Sequence, residues 1–433
     1  VAQARVALHS LGCKVNQNEA EAMLHLFEQA GYQVVDFSEK ADVYLIHTCT
    51  VTHLGDRKSR QMIRRAIKQN PEAIVVVSGC YAQIASEEIL EIPGVDLVIG
   101  TQDRARVLEL VEEVKESRKP INAVHDILHT KEFEELELEH TDRVRAFLKI
   151  EEGCQQFCTY CIIPFARGPV RSRDPEKTLR EVERLVENGY KEIVLTGIHT
   201  GAYGRDLPEG YDLNWLVQKI AQVPGLERLR ISSLDPNEFT SEFIETISSL
   251  PVVCPHFHIS LQSGDDDILE KMRRSYTTAE YRQLVKNLRA RIPDVAITTD
   301  VMVGFPGETE KQHQNSLAFV EEMEFAALHV FKYSPRAGTK AAGFAEQIPP
   351  DVKEERSRAM IALGKKLREN FARKHLGRTL KVLAEQKTVE GLWEGHTPNY
   401  LKVYFPSDQD VRGKILPVEL IEYEGDHLLG EVK

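Results

Sequence analysis

Residues 152–168 read EGCQQFCTYCIIPFARG and place Cys154, Cys158 and Cys161 in a Cys-x3-Cys-x2-Cys array, in a chain of 433 residues with only seven cysteines. A structural zinc site normally takes four protein ligands, and no further Cys or His follows nearby to complete one. Three thiolates can instead hold three irons of a 4Fe-4S cluster and leave the fourth iron to an outside ligand. The array follows RAFLKIEEG, which reads as a strand running into a loop.

Working outward, that strand is the first of six apolar runs, RAFLKI, EIVLTGI, RLRISSL, HFHISL, AITTDVMVGF and ALHVFKYS, separated by helical patterns such as KTLREVERLVENGY and AEYRQLVKNLRARI. Six βα units predict a partial (β/α)6 barrel over residues 144–370, with the array at the face where barrel active sites sit. Upstream, over residues 1–115, RVALHS, DVYLIHT, AIVVVSG and DLVIG alternate with amphipathic stretches, predicting a doubly wound parallel α/β domain. Cys13, Cys49 and Cys80 each stand just past a strand, in VALHSLGC, VYLIHTC and IVVVSGC. The carboxyl ends of parallel strands share one edge, so these distant thiols can meet at one metal site. A lone buried Cys there would be only a small apolar residue, but three in equivalent positions point to ligation. From 112 to 143, EEVKESRKP and KEFEELELEH lack a sustained apolar face and read as a linker or hairpin, with the linker set at residues 116–143. Residues 371–433 read as five short antiparallel strands in a small β-barrel.

Hydrophobic residues at 42% and charged residues at 28% describe an α/β globular protein with core enough for several domains. No apolar run approaches the ~18 residues of a membrane span. Val1 leads into RVALHSLGC, a strand rather than a secretory leader, so the expected location is cytoplasmic, with no membrane partner. A net charge of -12 argues against a protein that coats nucleic acid. DRKSRQMIRRAIK runs against that sign, with Arg57, Lys58, Arg60, Arg64, Arg65 and Lys68 forming either a solvated helix face or a polyanion-facing surface.

The array, with Tyr160 before its third cysteine, resembles the signature of the radical S-adenosylmethionine (SAM) superfamily. That resemblance implies a cluster at Cys154, Cys158 and Cys161 that binds SAM and, once reduced, cleaves it to methionine and a 5′-deoxyadenosyl radical. It implies SAM contacts at Tyr160, Thr196 and Gly197 of LTG, Arg230 and Ser232 of RISS, Gln262 of SLQSG, and Val303 and Gly304 of VMVGFPGET. With SLGCKVNQNEAE, IHTCTVT and VVSGCYAQ added, the chain resembles the radical SAM methylthiotransferases nearly throughout. A second 4Fe-4S cluster on Cys13, Cys49 and Cys80 and a C-terminal TRAM barrel are then implied. LGCKVNQNEAE, TCTVT, GTQDR and GCQQFCTYCIIPFARGPVRSR look most like the branch acting on threonylcarbamoyladenosine in tRNA. Other branches act on isopentenylated adenosine in tRNA or on a ribosomal-protein aspartate. His47 departs from the Asn usual before TCTVT, and is expected either to tune the auxiliary cluster through a hydrogen bond, or to face solvent, or simply to pack. Cys254 fits no motif. The implied partners are tRNA, an external one-electron reductant such as flavodoxin or ferredoxin, and a sulfur source. Expected tRNA contacts are Arg167, Arg171 and Arg173, and His396, Asn399, Tyr400 and Lys402 in the TRAM region. A two-cluster electron-transfer or redox-sensing protein would share the six cysteines, but would need neither SAM-binding strand ends nor a TRAM barrel.

Overall fold

Val43–Thr48 lacks polar alternation, and all six of its side chains are buried, as expected of a strand covered on both faces. In the computed structural model, which describes residues 3–136 and 143–433, it lies within a sheet built from β1 (Arg5–Ser10), β2 (Gln33–Val35), β3 (Val43–Thr48), β4 (Ile74–Gly79), β5 (Leu97–Ile99) and β6 (Ile121–Ala123). The order is β2-β1-β3-β4-β5-β6 and every pair is parallel. The connecting helices are α1 (Lys14–Gln29), α2 (His53–Gln69), the short α3 (Cys80–Ile84) and α4 (Ser86–Leu90), and α5 (Val107–Ser117). Alternate residues of β3 serve opposite faces. Tyr44 and Ile46 pack with Ile63 and Ala66 of α2, while Val43 and Leu45 pack with Met23 and Phe27 of α1 and Val111 of α5. Burying one such large side chain contributes roughly 1.5–3 kcal/mol, and the two-sided burial makes this sheet doubly wound.

The expected linker needs correction at its start. Ile121–Ala123 is the sixth strand of the sheet, and Ile127–His129 is a single 3-10 turn. Three residues at a sheet edge, only partly buried, carry too short a pattern to be read from sequence. Residues 137–142 of the expected linker lie outside the described residues.

The chain divides into two compact units, and the first also takes in Lys149–Arg173 and Ser334–Ala342. Beyond β7 (Arg145–Lys149), its second segment holds β8 (Glu151–Glu152), α6 (Ile163–Arg167) and β9 (Arg171–Ser172), with β8 and β9 paired antiparallel.

The second unit contains α7 (Pro175–Glu187), β10 (Glu192–Thr196), α8 (Leu213–Ile220), β11 (Arg228–Ile231), α9 (Ser241–Ser249), β12 (His256–His258), α10 (Asp266–Lys271), α11 (Thr278–Arg291), β13 (Ala296–Val303), α12 (Glu310–Met323), β14 (Ala327–Lys332) and α13 (Pro350–Arg373). Capping boxes at Thr277 with Glu280 and at Thr309 with Gln312 fix where α11 and α12 begin. Two three-stranded sheets, β11-β10-β7 and β12-β13-β14, are joined by parallel bridges from Leu229 to Val253 and from Leu234 to Ile259. This is the expected six-stranded partial barrel, one strand to each predicted run.

At the C-terminus, β15 (Thr379–Lys387), β16 (Trp393–His396), β17 (Lys402–Phe405), β18 (Ile415–Glu424) and β19 (His427–Val432) close a barrel in the order β15-β16-β17-β19-β18. One pair, β17 with β19, is parallel rather than antiparallel. An odd number of strands cannot alternate direction around a closed ring, so one parallel pair is unavoidable.

Candidate functional site

Sheets in the order 2-1-3-4-5 bind ligands outside the carboxyl ends of the first and third strands, where the strand order reverses. Cys13 is the N-cap of α1, just beyond β1, and Cys49 follows β3. Cys80 opens α3 directly after β4. The Sγ atoms of Cys13 and Cys80 lie 3.8 and 3.9 Å from the same atom, Oδ1 of Asn16. Cys49 interacts electrostatically with both Cys13 and Cys80. Exposure is graded across the set, with Cys80 buried, Cys49 half-buried and Cys13 exposed, so the site opens to solvent on the Cys13 side. Burial raises the Cys49 thiol above its usual range and pushes Cys80 up to about 12, against the pull of the Arg167 guanidinium on the latter.

Among the described residues, no three Cys, His, Asp or Glu side chains converge closely enough to hold a single metal ion. Cysteines of an iron-sulfur cluster each bind a different iron, so their sulfurs need not converge as they would around a single ion. The all-thiol donor set fits it as well.

Asn16 and Glu19 were not singled out from the sequence, yet they organise the floor of this site. Asn16 is buried and donates to the carbonyls of Leu11 and Thr48, tying the loop after β1 to the end of β3. Its Oδ1 accepts from Arg167 Nη2 at 2.6 Å. Glu19, one turn further along α1, receives Arg167 at 2.7 Å and Lys149 at 3.0 Å and also pairs with Arg104. Glu152 accepts from Arg167 at 2.6 Å and Lys149 at 2.8 Å, and Glu134 pairs with Arg104 at 2.8 Å. Three cations thus face three carboxylates in a buried, electrically balanced group. Burial alone would raise the Glu19 carboxyl, but Arg104, Arg167 and Lys149 outweigh it and hold Glu19 well below the usual range. Glu152 falls to about 2 by the same contest of burial against Lys149 and Arg167. The available signal was a polar residue at i+3 and another at i+6 from Cys13, on the helix face that should be apolar.

His47 belongs to this group. It is fully buried, with Nε2 at 3.3 Å from Glu19 Oε2, and burial lowers its pKa against the raising effect of that carboxylate. Of its three expected roles, solvent exposure is corrected by this burial, and the hydrogen bond exists but is directed at Glu19.

The second cysteine array lies in the loop between β8 and α6. Gly153 at its start has φ 92°, and a Cβ there would sit 1.9 Å from the Pro169 carbonyl, so only glycine lets the two loop ends meet. Cys154 N–H donates to the Gly168 carbonyl, and Cys161 N–H to that of Cys158. Cys158 is buried, Cys154 and Cys161 are half-buried, and Tyr160 is half-buried between them. Phe157 takes a left-handed φ of 48° and meets Phe165 edge-on at 5.6 Å, both rings partly exposed. The loop is thus clamped at its base and open at its tip. Arg167, at the end of α6, also points its Nε at Cys80 Sγ, 3.1 Å away, so the segment after one cysteine array touches the other.

The expected tRNA contacts after this loop are corrected. Arg167 and Arg171 are essentially inaccessible and Arg173 is 8% exposed. Arg171 donates to the carbonyls of Arg167 and Pro169, and Arg173 to Glu135 at 2.8 Å. Their charge is consumed inside the protein.

In the second unit, Thr196 and Gly197 end β10, Ser232 follows β11, Gln262 lies beyond β12, and Val303 and Gly304 end β13. These expected SAM contacts therefore share the carboxyl edge of the barrel strands. Gln262 is held at φ 69° by backbone bonds to Asp300 and Met302. Gly304 has φ 70° and donates its N–H to Glu308 at 2.7 Å. Arg230 departs from expectation. It is 2% exposed, donates to Glu192 at 2.7 Å and the Pro398 carbonyl at 3.0 Å, and lies 4.7 Å above the Tyr400 ring. Together with Arg228, which donates to the carbonyls of Lys381 and His396, it fastens the C-terminal barrel to the strand edge. Tyr400, at φ 67°, is stacked between His256 and His396. Asn399 is buried, and Nδ1 of His396 lies 2.6 Å from Glu385. Lys402, partly exposed, pairs with Asp426. Of the four expected TRAM contacts, Asn399 and Tyr400 are thus committed to packing. Cys254 is buried close to Arg230 in this unit, its thiol pushed up to about 11 by burial.

Comparison with known proteins agrees with this layout. Residues 5–100 match the family described as uncharacterized protein family UPF0004, and residues 148–320 match the radical SAM superfamily. The chain is 46% identical to threonylcarbamoyladenosine tRNA methylthiotransferase MtaB of Bacillus subtilis, over 97% of this chain and 94% of that one. It is 42% identical to the MtaB enzyme of Aquifex aeolicus, over 88% and 92%. It is 36% identical to the tRNA-2-methylthio-N(6)-dimethylallyladenosine synthase of Moorella thermoacetica, over 97% and 96%. Among solved structures, the radical SAM methyltransferase TsrM of Kitasatospora setae shares the fold at a TM-score of 0.57 and 15% identity, covering 79% of this chain and 77% of that one. With two three-cysteine arrays, one of them at the carboxyl edge of the parallel sheet, and relatives matched nearly end to end at this identity, the chain belongs to the radical SAM methylthiotransferase family.

Proposed function

We propose that this enzyme converts N6-threonylcarbamoyladenosine, 3′-adjacent to the anticodon of tRNA, into its 2-methylthio derivative. The observation that carries the reading is the presence of both cysteine arrays in one compact unit, linked through Arg167; the choice of nucleoside follows the relatives from Bacillus subtilis and Aquifex aeolicus. Its cofactors are two 4Fe-4S clusters and SAM, which together supply a hydrogen-abstracting radical and a methylated sulfur for an adenine C–H bond that no side chain could deprotonate. Cys154, Cys158 and Cys161 hold one cluster on the clamped loop, and Cys13, Cys49 and Cys80 hold the other. Asn16 spaces two thiols of the second set, and the Arg167 guanidinium lends Cys80 the positive charge that favours a thiolate. Thr196, Gly197, Ser232, Gln262, Val303 and Gly304 form the barrel edge against which SAM rests. An external one-electron reductant of the flavodoxin or ferredoxin class and a sulfur source complete the cycle.

Nucleoside mass spectrometry of tRNA from cells lacking this protein tests the substrate. Loss of 2-methylthio-N6-threonylcarbamoyladenosine is expected. Its persistence without a second enzyme, or loss of the dimethylallyl counterpart instead, would overturn the assignment. The two arrays separate by mutation. Cys49→Ala is expected to keep part of the SAM cleavage while methylthiolated nucleoside falls below detection, and normal product from this variant would refute the division of labour.

A further inference from the structure

The basic run that the sequence left undecided forms most of α2, where Arg57, Lys58, Arg60, Arg64, Arg65 and Lys68 stand against a single acid, Asp56. The structure sorts them. Arg60 is spent on the Tyr81 hydroxyl and Glu88, and Arg65 lies over the Phe37 ring. Asp56 is buried against Arg336 at 2.6 Å and neutralises nothing on the outer face. Arg57, Lys58, Arg64 and Lys68 are exposed, and among the described residues none of them makes an ion pair. Spaced seven and four residues apart, Arg57, Arg64 and Lys68 line one face of the helix over about 16 Å at 1.5 Å per residue, with Lys58 on the flank of that row. The buried side of α2 carries Ser59, Ile63 and Ala66, which anchor it to the sheet.

The helix is also aimed. Thr52 caps it by accepting from the Gly55 N–H, and a Cβ built on Gly55 would lie 3.1 Å from the Cys49 carbonyl. Its first turn therefore rests on a cysteine of the auxiliary array, and the row of cations leads away from that point. A chain carrying a net charge of -12 repels polyanions on average. A concentrated row of unpaired cations starting at the site is the exception that a regular polyphosphate backbone fits.

We propose that the outer face of α2 is a tRNA-binding surface, on which Arg57, Lys58, Arg64 and Lys68 contact successive backbone phosphates while the target adenosine lies at the auxiliary cysteines. This deepens the substrate reading above and rests on it. The contacts are to phosphate, so they position the RNA without reading its sequence. Each contact released as salt rises contributes about 0.7–0.9 to the slope of log affinity against log salt.

The test uses the cluster-loaded protein, with anisotropy measurements on labelled tRNA between about 50 and 200 mM salt. Lys58→Gln/Arg64→Gln/Lys68→Gln is expected to weaken binding at least tenfold near 100 mM and to lower the salt slope by about two to three. The exposed positions leave the melting temperature unchanged, and Lys58→Arg/Lys68→Arg restores the slope. If the wild type binds and the triple variant matches it in affinity and slope, the surface is wrongly assigned. Unchanged tRNA binding with slowed reduction by an acidic electron donor would give the face to that donor and overturn the proposal. A wild type that binds no tRNA would overturn the substrate reading itself.

Discussion

Cys158→Ala is expected to abolish SAM cleavage outright, with no 5′-deoxyadenosine formed by reduced, iron-reconstituted protein. Cys158 is the buried member of its array. Its carbonyl accepts the Cys161 N–H, and its thiol donates to Gln156 Oε1 within a loop clamped between Gly153 and Pro169. A cluster left with two ligands at the rim of this loop has no buried anchor. The iron content should fall by about half, because the distant Cys13, Cys49 and Cys80 array is untouched, and this distinguishes loss of one cluster from general unfolding. Chromatography of the nucleoside products and iron analysis check both parts, and 5′-deoxyadenosine at the wild-type level would show that this thiol does not hold the cluster.

Arg167→Met should cost about 3–5 kcal/mol of stability in the first unit, the range for removing one partner of a fully buried ion pair. Five hydrogen-bonding contacts disappear with this side chain: two to Glu19, one each to Glu152 and Asn16, and one to Cys80 Sγ. Methionine fills much of the volume but leaves Glu19 and Glu152 with only Lys149 and Arg104 to oppose them, in a place water does not reach. Urea unfolding of the iron-free protein measures this without interference from the clusters. The two units need not melt together, so the shift is expected in one transition and not the other. A shift below about 1 kcal/mol would mean that the carboxylates find water or repack.

The cysteines were legible in the sequence because strand ends are. Short apolar runs, Val6–Leu8, Val43–Ile46 and Ile74–Val77, mark β1, β3 and β4, and in a parallel sheet the strand ends share an edge whatever the distance along the chain. The six barrel strands were legible for the same reason. Asn16, Glu19 and Arg336 were not, because the partners that explain them are far away: Glu19 meets Lys149 and Arg167, and Arg336 meets Asp56 and Thr50. Residue type also misled. Arg167, Arg171 and Arg230 look like surface residues with charge to offer, and arginines are rarely fully buried unless paired; here every one has its carboxylate or carbonyls waiting inside. His47 is a polar residue in an otherwise apolar strand, and only the position of Glu19 across the helix explains it.

The first unit is assembled from three separated stretches of chain, ending with Ser334–Ala342. During synthesis from the N-terminus, the first sheet emerges long before Arg167 arrives to complete its buried charge group, and longer before Arg336 reaches Asp56. Until Arg167 emerges, Glu19 is short of its cations, and until Arg336 does, Asp56, beyond Cys49, lacks its partner. A fragment ending near residue 100, where the first family match stops, should not hold a cluster by itself.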